Sequence, residues 1–121
     1  MILGHGIDIV NLDRFDLMDQ KRSERLAKRI CTDSEHLEFQ NCKYPKLYLA
    51  KIWASKEAIS KAFGTGIRND VTWQNMRIDK TAQGKPVVHF KEIIAGPICH
   101  LSISHDKNIL IASAILEMYA H

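Results

Sequence analysis

The sequence predicts an α+β domain in which a leading strand and several helices pack on an antiparallel sheet. Residues 2–10 alternate between apolar and small or polar side chains, as a strand does. Residues 11–63 have the apolar spacing of helices, and residues 71–118 return to a two-residue period. Helices and strands in separate runs are typical of α+β folds. A chain of 121 residues supports one core, so we expect one domain over residues 1–121.

The predicted first strand carries a carboxylate beside two glycines. Because side chains alternate along a strand, one face consists of Ile2, Gly4, Gly6, Asp8 and Val10. The glycines leave room beside Asp8 for another group to approach.

Helical segments follow the first strand. They are a short turn over residues 11–15, a basic helix over 20–31, a short helix over 32–42 and a long helix that begins at residue 45. In the basic helix, Leu26 and Ile30 are the i, i+4 apolar contacts. Thr32 and Asp33 are candidate caps of the next helix.

The long helix is predicted from Pro45 to Phe63, with Gly64 as its stop. Its main apolar face is formed by Leu49, Ile52, Ile59 and Phe63. Glu57 lies in a different sector, among small neighbours, and Lys61 follows one turn later. Glu57 and Lys61 therefore share one surface.

Four more strands are predicted after residue 66. Residues 71–80 and 86–90 are joined by a turn around Gly84, and residues 98–105 and 109–118 follow. The last strand is apolar at nearly every position, so we expect it to be covered on both faces.

Composition and charge limit the possible classes. With 45% hydrophobic and 26% charged residues, the chain has the composition of a soluble globular protein. It shows no membrane-length apolar run and no signal peptide, which predicts a cytoplasmic protein. Cys31, Cys42 and Cys99 are odd in number and widely spaced, so we expect buried free thiols.

Basic residues are concentrated near the start of the helical region. Six of the 17 lysines and arginines fall within residues 14–29: Arg14, Lys21, Arg22, Arg25, Lys28 and Arg29. Such a cluster attracts an acidic partner, either protein or nucleic acid, although a solvated helix face is the ordinary explanation.

Two carboxylates and a lysine are the strongest candidates for chemistry. Asp8 and Glu57 can together hold a hard divalent cation such as magnesium, which binds substrate phosphates. Lys61 and the exposed amides of the Gly64-Thr65-Gly66 turn can complete a phosphate site. The alternative is an ordinary surface pair between Glu57 and Lys61.

Several other polar or aromatic residues have ordinary explanations. We expect Lys56 to extend its amine to solvent, with a phosphate contact as the alternative. His105 ends a strand and is expected to form local hydrogen bonds. Trp53 and Trp73 are expected in the core or an interface. The remaining histidines lack the spacing of zinc ligands: His5, His36, His89, His100 and His121.

Three segments together resemble one known family. "GHGIDIVNLDRF", "WASKEAISKAFGTG" and "LSISHD", in that order, resemble the holo-acyl-carrier-protein synthases, which are short 4'-phosphopantetheinyl transferases. The middle segment is the most specific of the three. The resemblance spans nearly the whole chain and implies the 4'-phosphopantetheinyl transferase-like α+β fold.

The resemblance implies a reaction and a set of partners. A 4'-phosphopantetheine arm would pass from coenzyme A to a serine of an apo acyl carrier protein, which releases adenosine 3',5'-bisphosphate. The carrier of fatty acid biosynthesis is the expected acceptor, and a polyketide carrier stays open. Acceptance of acyl-coenzyme A and the choice of magnesium over manganese stay open too.

The resemblance also assigns roles to residues. Asp8 and Glu57 would bind Mg²⁺ with the pyrophosphate, and Glu57, directly or through a metal-bound water, is the candidate base. Lys61 is the third catalytic candidate. The phosphates and adenosine would contact Lys61 and the turn of Gly64, Thr65 and Gly66. The nucleotide end would contact His105. Lys56 is a weaker candidate for a phosphate contact, and Ser104 has no assigned role. The acidic carrier would dock on Arg14, Lys21, Arg22 and Arg25.

Relatives of this family form trimers, and longer relatives resemble two fused units with the site between them. We therefore expect a homotrimer in which Asp8 and Glu57 come from one subunit and His105 from its neighbour. His5 stands where an aliphatic or small residue is usual, and we expect it to pack. Residues 32–46 match no motif of the family.

Three other functions are compatible with parts of the sequence. A nucleic-acid-binding module would use the basic cluster but leaves Asp8 and Glu57 unexplained, and their charge opposes it. A nucleotide hydrolase could use the same two carboxylates with water as the acceptor. A non-enzymatic subunit would leave the Gly-Thr-Gly turn without a role.

Overall fold

The computed structural model describes residues 1–118, so His121 lies outside the described part of the chain. The strands and helices, in chain order, are β1 (Ile2–Asn11), α1 (Asp13–Asp16), α2 (Gln20–Ile30), α3 (Asp33–Asn41), α4 (Pro45–Phe63), β2 (Met76–Lys80), β3 (Pro86–Phe90), β4 (Pro97–Asp106) and β5 (Ile109–Met118). A single 3-10 turn, Trp73–Asn75, precedes β2.

The strands form two antiparallel sheets. β5 lies between β1 and β4 in a three-stranded sheet, so the first and last strands of the described chain are hydrogen-bonded to each other. β2 and β3 form a separate hairpin. α4 packs along β1 and β5, which confirms the predicted α+β class with helices on an antiparallel sheet. The difference from the prediction is that the strands divide into two sheets.

The predicted helix boundaries rest on local signals that the structure confirms. Thr32 caps α3, and its hydroxyl accepts from the Glu35 amide while the Glu35 carboxylate accepts from the Thr32 amide. Asp33 is the first helical residue of α3 and not its cap. Pro45 begins α4, and Gly64 ends it with a φ of 80°. None of the helices within residues 1–118 is long and apolar enough to cross a membrane.

The contact between β1 and α4 depends on the glycines of β1. A Cβ atom on Gly4 would overlap the carbonyl oxygen of Ala62, and a Cβ atom on Gly6 would overlap that of Ala58. The room predicted beside Asp8 therefore exists along the strand, but the backbone of α4 occupies it. Backbone on backbone is the closest packing that a helix and a strand can reach.

The predicted strand over residues 71–80 is wrong in its first half. Only Met76–Lys80 is a strand, and Trp73–Asn75 is a 3-10 turn. The Trp73 ring stacks on Trp53 with centroids 5.1 Å apart, and the Trp73 carbonyl accepts a hydrogen bond from Lys56. These tertiary contacts override the strand propensity of the segment.

The sheet is covered on one face only. Leu110, Ala112, Ala114 and Leu116 of β5 are buried on the α4 side. The opposite face, here called the open sheet face, exposes Leu3, Ile7, Ile9, Ile109 and Ile111. The expectation that β5 is covered on both faces is therefore wrong for the single chain.

His5 lies on the open sheet face and does not pack as expected. Its side chain is exposed, and its Nε2 atom is hydrogen-bonded to Ser113 Oγ at 3.0 Å. Ser113 lies on β5, two residues before Ile115, which is the Cα partner of His5. The pair adds two polar groups to the open sheet face, where the exposed Ser102 of β4 is the Cα partner of Ser113.

The cysteines are free thiols, and they differ in burial. Cys31 is buried, whereas Cys42 and Cys99 are half-buried, so the expectation of buried thiols holds fully only for Cys31. Burial raises the pKa of Cys31 to about 12, and burial likewise raises the pKa of Cys99 to about 12. Both thiols are therefore protonated at neutral pH and poor nucleophiles.

We expect Gly6→Ala to lower the free energy of unfolding by about 3 kcal/mol, because overpacking a site costs about 1–3 kcal/mol and here the clash is with backbone. Urea unfolding followed by circular dichroism measures the loss. Gly84→Ala is the control, since no atom lies within 4 Å of the new Cβ and only the positive φ of 89° adds strain. A loss at Gly6 no larger than that at Gly84 would contradict the close packing.

Candidate active site

The β1–α4 contact brings Asp8 and Lys61 together. The Lys61 ammonium donates to Asp8 Oδ1 at 3.0 Å and to the Ile7 carbonyl at 3.1 Å. The Asp8 side chain is only 13% exposed, whereas the Lys61 side chain is 50% exposed. Lys61 can therefore reach a ligand in solvent without leaving the neighbourhood of Asp8.

Glu57 lies one turn before Lys61 on α4 and belongs to the same cluster. Burial raises the pKa of the Glu57 carboxyl, and the Asp8 charge raises it further, while the charges of Lys61 and Arg29 lower it. A carboxylate whose pKa is raised by a neighbouring carboxylate marks a position where a cation is favoured. The sequence-based grouping of Asp8, Glu57 and Lys61 is thus confirmed as a spatial cluster.

The donor atoms of this cluster fit a hard divalent cation. Asp8 Oδ2 is buried and has no hydrogen-bond partner among the described residues. A buried carboxylate oxygen without a partner is costly unless a cation or water completes it. Within residues 1–118, no three histidine, cysteine, aspartate or glutamate side chains cluster as a metal site. Two carboxylates with the remaining positions left to water or phosphate suit magnesium.

The Gly64-Thr65-Gly66 turn does not offer free amides, contrary to the prediction. The Gly64 amide donates to the Lys61 carbonyl at 2.9 Å, and the amides of Thr65 and Gly66 donate to the Ser60 carbonyl at 3.3 and 3.2 Å. These bonds close the C-terminal end of α4, where the helix dipole is negative and disfavours an anion.

The same turn does provide open space. Gly64 and Gly66 have φ values of 80° and 69°, and no atom lies within 4 Å of a Cβ built on either residue. Their glycine identity therefore follows from the positive φ and leaves an uncovered surface next to Lys61. A ligand could lie flat against this turn without using its amides.

Lys56 does not extend to solvent, and the expectation that it does is wrong. Its side chain is completely buried and forms an ion pair of 2.6 Å with Glu35 Oε1. The ammonium also donates to the carbonyls of Ile30 and Trp73, each at 2.7 Å. All three N–H donors of Lys56 are used, so no donor is left for a phosphate.

Glu35 is the partner that sequence reasoning did not find. Besides Lys56, it accepts from the Ile78 amide at 2.6 Å and from the Thr32 amide at 2.8 Å. The spacing of Thr32 and Glu35 indicates a capping box, but nothing in the sequence pairs Glu35 with a lysine 21 positions away. Burial lowers the pKa of Lys56, and the Glu35 charge opposes that shift.

His105 is not brought to the carboxylate cluster within one chain. It lies near the end of β4, opposite Leu110, and β5 separates it from β1. It lines two cavities, and neither of them includes Asp8, Glu57 or Lys61. The expected local hydrogen bonds of the His105 ring are also absent among the described residues.

The larger of these cavities is a feature that sequence reasoning missed. It has a volume of about 370 Å³ and lies between α3, α4, the β2–β3 hairpin and β4. Its lining includes Glu35, Tyr48, Ser55, Arg77, Ile103 and His105. Ser55 is fully buried, and its hydroxyl has no partner among the described residues. Because the lining comes from five elements, no local sequence pattern marks it.

The basic residues predicted to dock a partner are exposed. Arg14 lies on α1, and Lys21, Arg22 and Arg25 lie on α2. None of these four forms an ion pair with a carboxylate within residues 1–118. Their positive charge is therefore exposed and unpaired among the described residues.

The two tryptophans belong to the edge of the core, as expected. Trp53 and Trp73 are partly buried and stack on each other with an interplanar angle of 31°. The guanidinium of Arg29 lies over the Trp53 ring, 5.8 Å from its centroid.

The fold and the site define an α+β protein with a paired-carboxylate, lysine-bearing site suited to a cation and an anionic ligand. A family model described as the 4'-phosphopantetheinyl transferase superfamily matches residues 4–114. The chain belongs to this family, which confirms the resemblance found in its motifs.

Within this family, the chain is similar in sequence and in structure to several holo-(acyl-carrier-protein) synthases. A holo-(acyl-carrier-protein) synthase of Shewanella sp. (strain ANA-3) is 39% identical, with 96% of this chain and 97% of the relative aligned. The crystal structure of the Neisseria meningitidis holo-(acyl-carrier-protein) synthase superposes with a TM-score of 0.88 at 37% identity, covering 97% of this chain and 99% of that one. A Bacillus anthracis enzyme of the same name, in complex with CoA (3',5'-ADP), has a TM-score of 0.86 at 35% identity, covering 98% and 99%.

We expect Glu57→Gln to raise the free energy of unfolding at pH 7 in the absence of metal. The raised pKa of Glu57 means that the folded state accommodates the ionised carboxylate less well than the unfolded state does. The gain should shrink as the pH falls toward the ordinary carboxyl pKa of about 4.3, because the wild-type residue then becomes protonated.

Urea unfolding in the presence of a chelator measures this difference. Glu92→Gln removes the same charge at an exposed position and should leave stability nearly unchanged. A Glu57→Gln protein that is less stable than the wild type at pH 7 would contradict the like-charge strain between Glu57 and Asp8.

Proposed function

We propose that this protein is a holo-acyl-carrier-protein synthase. It transfers the 4'-phosphopantetheine group of coenzyme A to a serine of an apo acyl carrier protein and releases adenosine 3',5'-bisphosphate. The observation that carries the proposal is the cluster of Asp8, Glu57 and Lys61 on the fold of this family. Relatives of that name also match this chain in sequence and in fold over nearly their full length.

Asp8 and Glu57 are the residues that would hold magnesium. The unpartnered Oδ2 atom of Asp8 and the raised pKa of Glu57 both support a cation between these side chains. When bound, magnesium would neutralise the pyrophosphate of coenzyme A, whose negative charge otherwise repels a nucleophile. The all-oxygen donor set suits magnesium and manganese alike, and magnesium is the cation proposed here.

Glu57 is also the candidate general base. The serine hydroxyl oxygen forms a bond to the phosphorus that carries the pantetheine arm, and the bond from that phosphorus to the oxygen of the departing bisphosphate breaks. The hydroxyl proton passes to the Glu57 carboxylate, and the leaving oxygen takes the electron pair. A raised carboxyl pKa suits this role, because it brings the proton affinity of the base closer to neutral pH.

Lys61 would stabilise the leaving group. Its ammonium is half exposed and already held at Asp8, so it can contact a phosphate with little rearrangement. The uncovered turn of Gly64, Thr65 and Gly66 lies directly after it in the chain. We assign the adenosine and its phosphates to this end of α4. The open surface of the turn favours this assignment, since the turn amides are already used to close the helix.

The carrier protein is assigned to the basic surface of α1 and α2. Acyl carrier proteins of this reaction are acidic in the family that the chain resembles, and Arg14, Lys21, Arg22 and Arg25 supply exposed positive charge without counterions among the described residues. The proposed setting is fatty acid biosynthesis in the cytoplasm, where the free thiols would stay reduced.

The proposed assembly is a homotrimer with sites between subunits. The open sheet face exposes five large apolar residues, which favours a protein partner on that face. His105 lies apart from Asp8 and Glu57 in one chain, so a shared site needs His105 from a neighbour. In a closed ring, each subunit could supply His105 to one neighbour while its own Asp8 and Glu57 receive His105 from the other. Such a ring would also cover the exposed apolar face.

Incubation of apo acyl carrier protein with coenzyme A, magnesium and this protein should add one phosphopantetheine per carrier. Intact-mass spectrometry measures the gain, which a chelator should prevent. Glu57→Gln should lose at least about 10³-fold in rate, because it removes both the base and a proposed cation ligand. Glu92→Gln is the control and should keep full activity.

No mass gain with a competent carrier would contradict the proposed function. Coenzyme A breakdown without a carrier would indicate a nucleotide hydrolase. Retained turnover in Glu57→Gln would remove Glu57 from the mechanism and leave the rest of the assignment in place.

Subunit mixing should test the shared site. Glu57→Gln and His105→Ala, each inactive alone, should recover about a quarter of wild-type activity when unfolded and refolded together, because random rings place both intact residues at about one interface in four. A mixture of Glu57→Gln with Asp8→Asn is the matched control and should recover nothing, since both residues belong to one subunit.

Absence of recovery in the first mixture would contradict an inter-subunit site. Full activity in a dilute monomer, checked by analytical ultracentrifugation, would contradict it as well.

A further inference from the structure

We propose that Arg29 is a catalytic residue that contacts the phosphoryl group transferred to the carrier, an inference that rests on the proposed function. The sequence places Arg29 in the basic cluster with no role of its own. The structure sets it apart from the rest of that cluster, at the junction between the carrier-docking helix and the carboxylate site.

Arg29 is held in place by an aromatic ring. It is the next-to-last residue of α2, and its guanidinium lies 5.8 Å from the centroid of the Trp53 ring on α4. Trp53 is itself packed on Trp73, with ring centroids 5.1 Å apart. A guanidinium on an aromatic face is partly pre-organised while its N–H edges stay free to donate.

The spacing on α4 places Arg29 beside Glu57. Trp53, Glu57 and Lys61 follow at intervals of four residues, so they lie along one side of α4, about 6 Å apart per interval. Glu57 therefore lies between two cationic side chains. Arg29, which lies over the Trp53 ring, is on one side, and Lys61 is on the other. The Arg29 charge is close enough to lower the pKa of the Glu57 carboxyl.

Arg29 has no carboxylate of its own. It forms no ion pair within residues 1–118, whereas Lys61 is paired with Asp8. A fixed cation without a counterion at the edge of a carboxylate site is suited to an incoming anion. Here that anion would be a phosphate, since both bonds that change lie at phosphorus.

The direction of the substrate along α4 decides which phosphate Arg29 meets. The adenosine end is assigned to Lys61 and the turn after it, so the pyrophosphate crosses Glu57 and the pantetheine end points toward Trp53. Arg29 then lies beside the phosphorus that accepts the serine. Its donors would stabilise the negative charge on the oxygens that are not displaced, without taking part in bond making.

The arginines of α2 also indicate a position for Arg29 next to the reacting phosphorus. Arg22, Arg25 and Arg29 are spaced three and four residues apart, so they form one row along α2. A carrier docked on Arg22 and Arg25 would present its serine at the end of that row, next to Arg29 and Glu57. Lys28 is exposed but about 100° away from Arg29 around the helix, off this row.

Steady-state kinetics of Arg29→Gln tests the proposal. We expect kcat to fall on the order of 10²-fold, the usual effect of removing one electrostatic donor from a transition state. The affinity for adenosine 3',5'-bisphosphate, measured by isothermal titration calorimetry, should stay within about twofold, because this product lacks the transferred phosphate. Lys28→Gln is the matched control and should leave kcat and the affinity unchanged.

Arg29→Lys keeps the charge but loses the planar donors, and it should recover only part of kcat. Circular dichroism and thermal unfolding confirm that each variant is folded. A fall in product affinity, with kcat kept, would place Arg29 at the nucleotide and overturn the proposal. A rise confined to KM for the carrier would make Arg29 a docking residue and overturn it too.

The outcomes separate this inference from the proposed function. Wild-type protein that transfers phosphopantetheine while Arg29→Gln matches it in kcat would overturn the inference alone. Wild-type protein without transfer would overturn the proposed function, and the inference with it.

Discussion

The close approach of α4 to β1 is the constraint on which the site depends. Gly4 and Gly6 leave no side chain between the strand and the helix, so the carbonyls of Ala58 and Ala62 rest against the strand backbone. Any larger residue would push the helix outward and separate Asp8 from Lys61, which now lie 3.0 Å apart. Because charge–charge interactions weaken with distance, the pairing of a strand carboxylate with helix residues requires this packing.

The buried Lys56–Glu35 pair fixes the opposite side of α4. Lys56 holds the end of α2, the start of α3 and the 3-10 turn before β2 through three hydrogen bonds of 2.6–2.7 Å. Its neighbour in sequence, Glu57, faces the carboxylate cluster. Consecutive residues of a helix point about 100° apart, so fixing one of them sets the direction of the other. The buried Lys56 thus sets the direction in which Glu57 points from the helix.

The residues of the proposed site lie apart in the single chain. Asp8, Glu57 and Lys61 gather on the β1 side of α4, whereas His105 lies across β5 on β4 and lines a cavity that none of the three enters. The open sheet face adds an apolar surface that water covers in the isolated chain. Assembly into a ring would bury that surface and join the separated parts, so stability and activity would depend on the same interface.

The sequence by itself determined most of the elements and the grouping of Asp8, Glu57 and Lys61. Alternation in residues 2–10, the capping box at Thr32, Pro45 and Gly64 are local signals, and each acts over a few residues. The helix period was enough to put Glu57 and Lys61 on one surface. The tertiary structure alone decided the partner of Lys56 and the position of Arg29 on Trp53. These contacts join residues far apart in the chain, and no local period or propensity encodes which distant groups will meet.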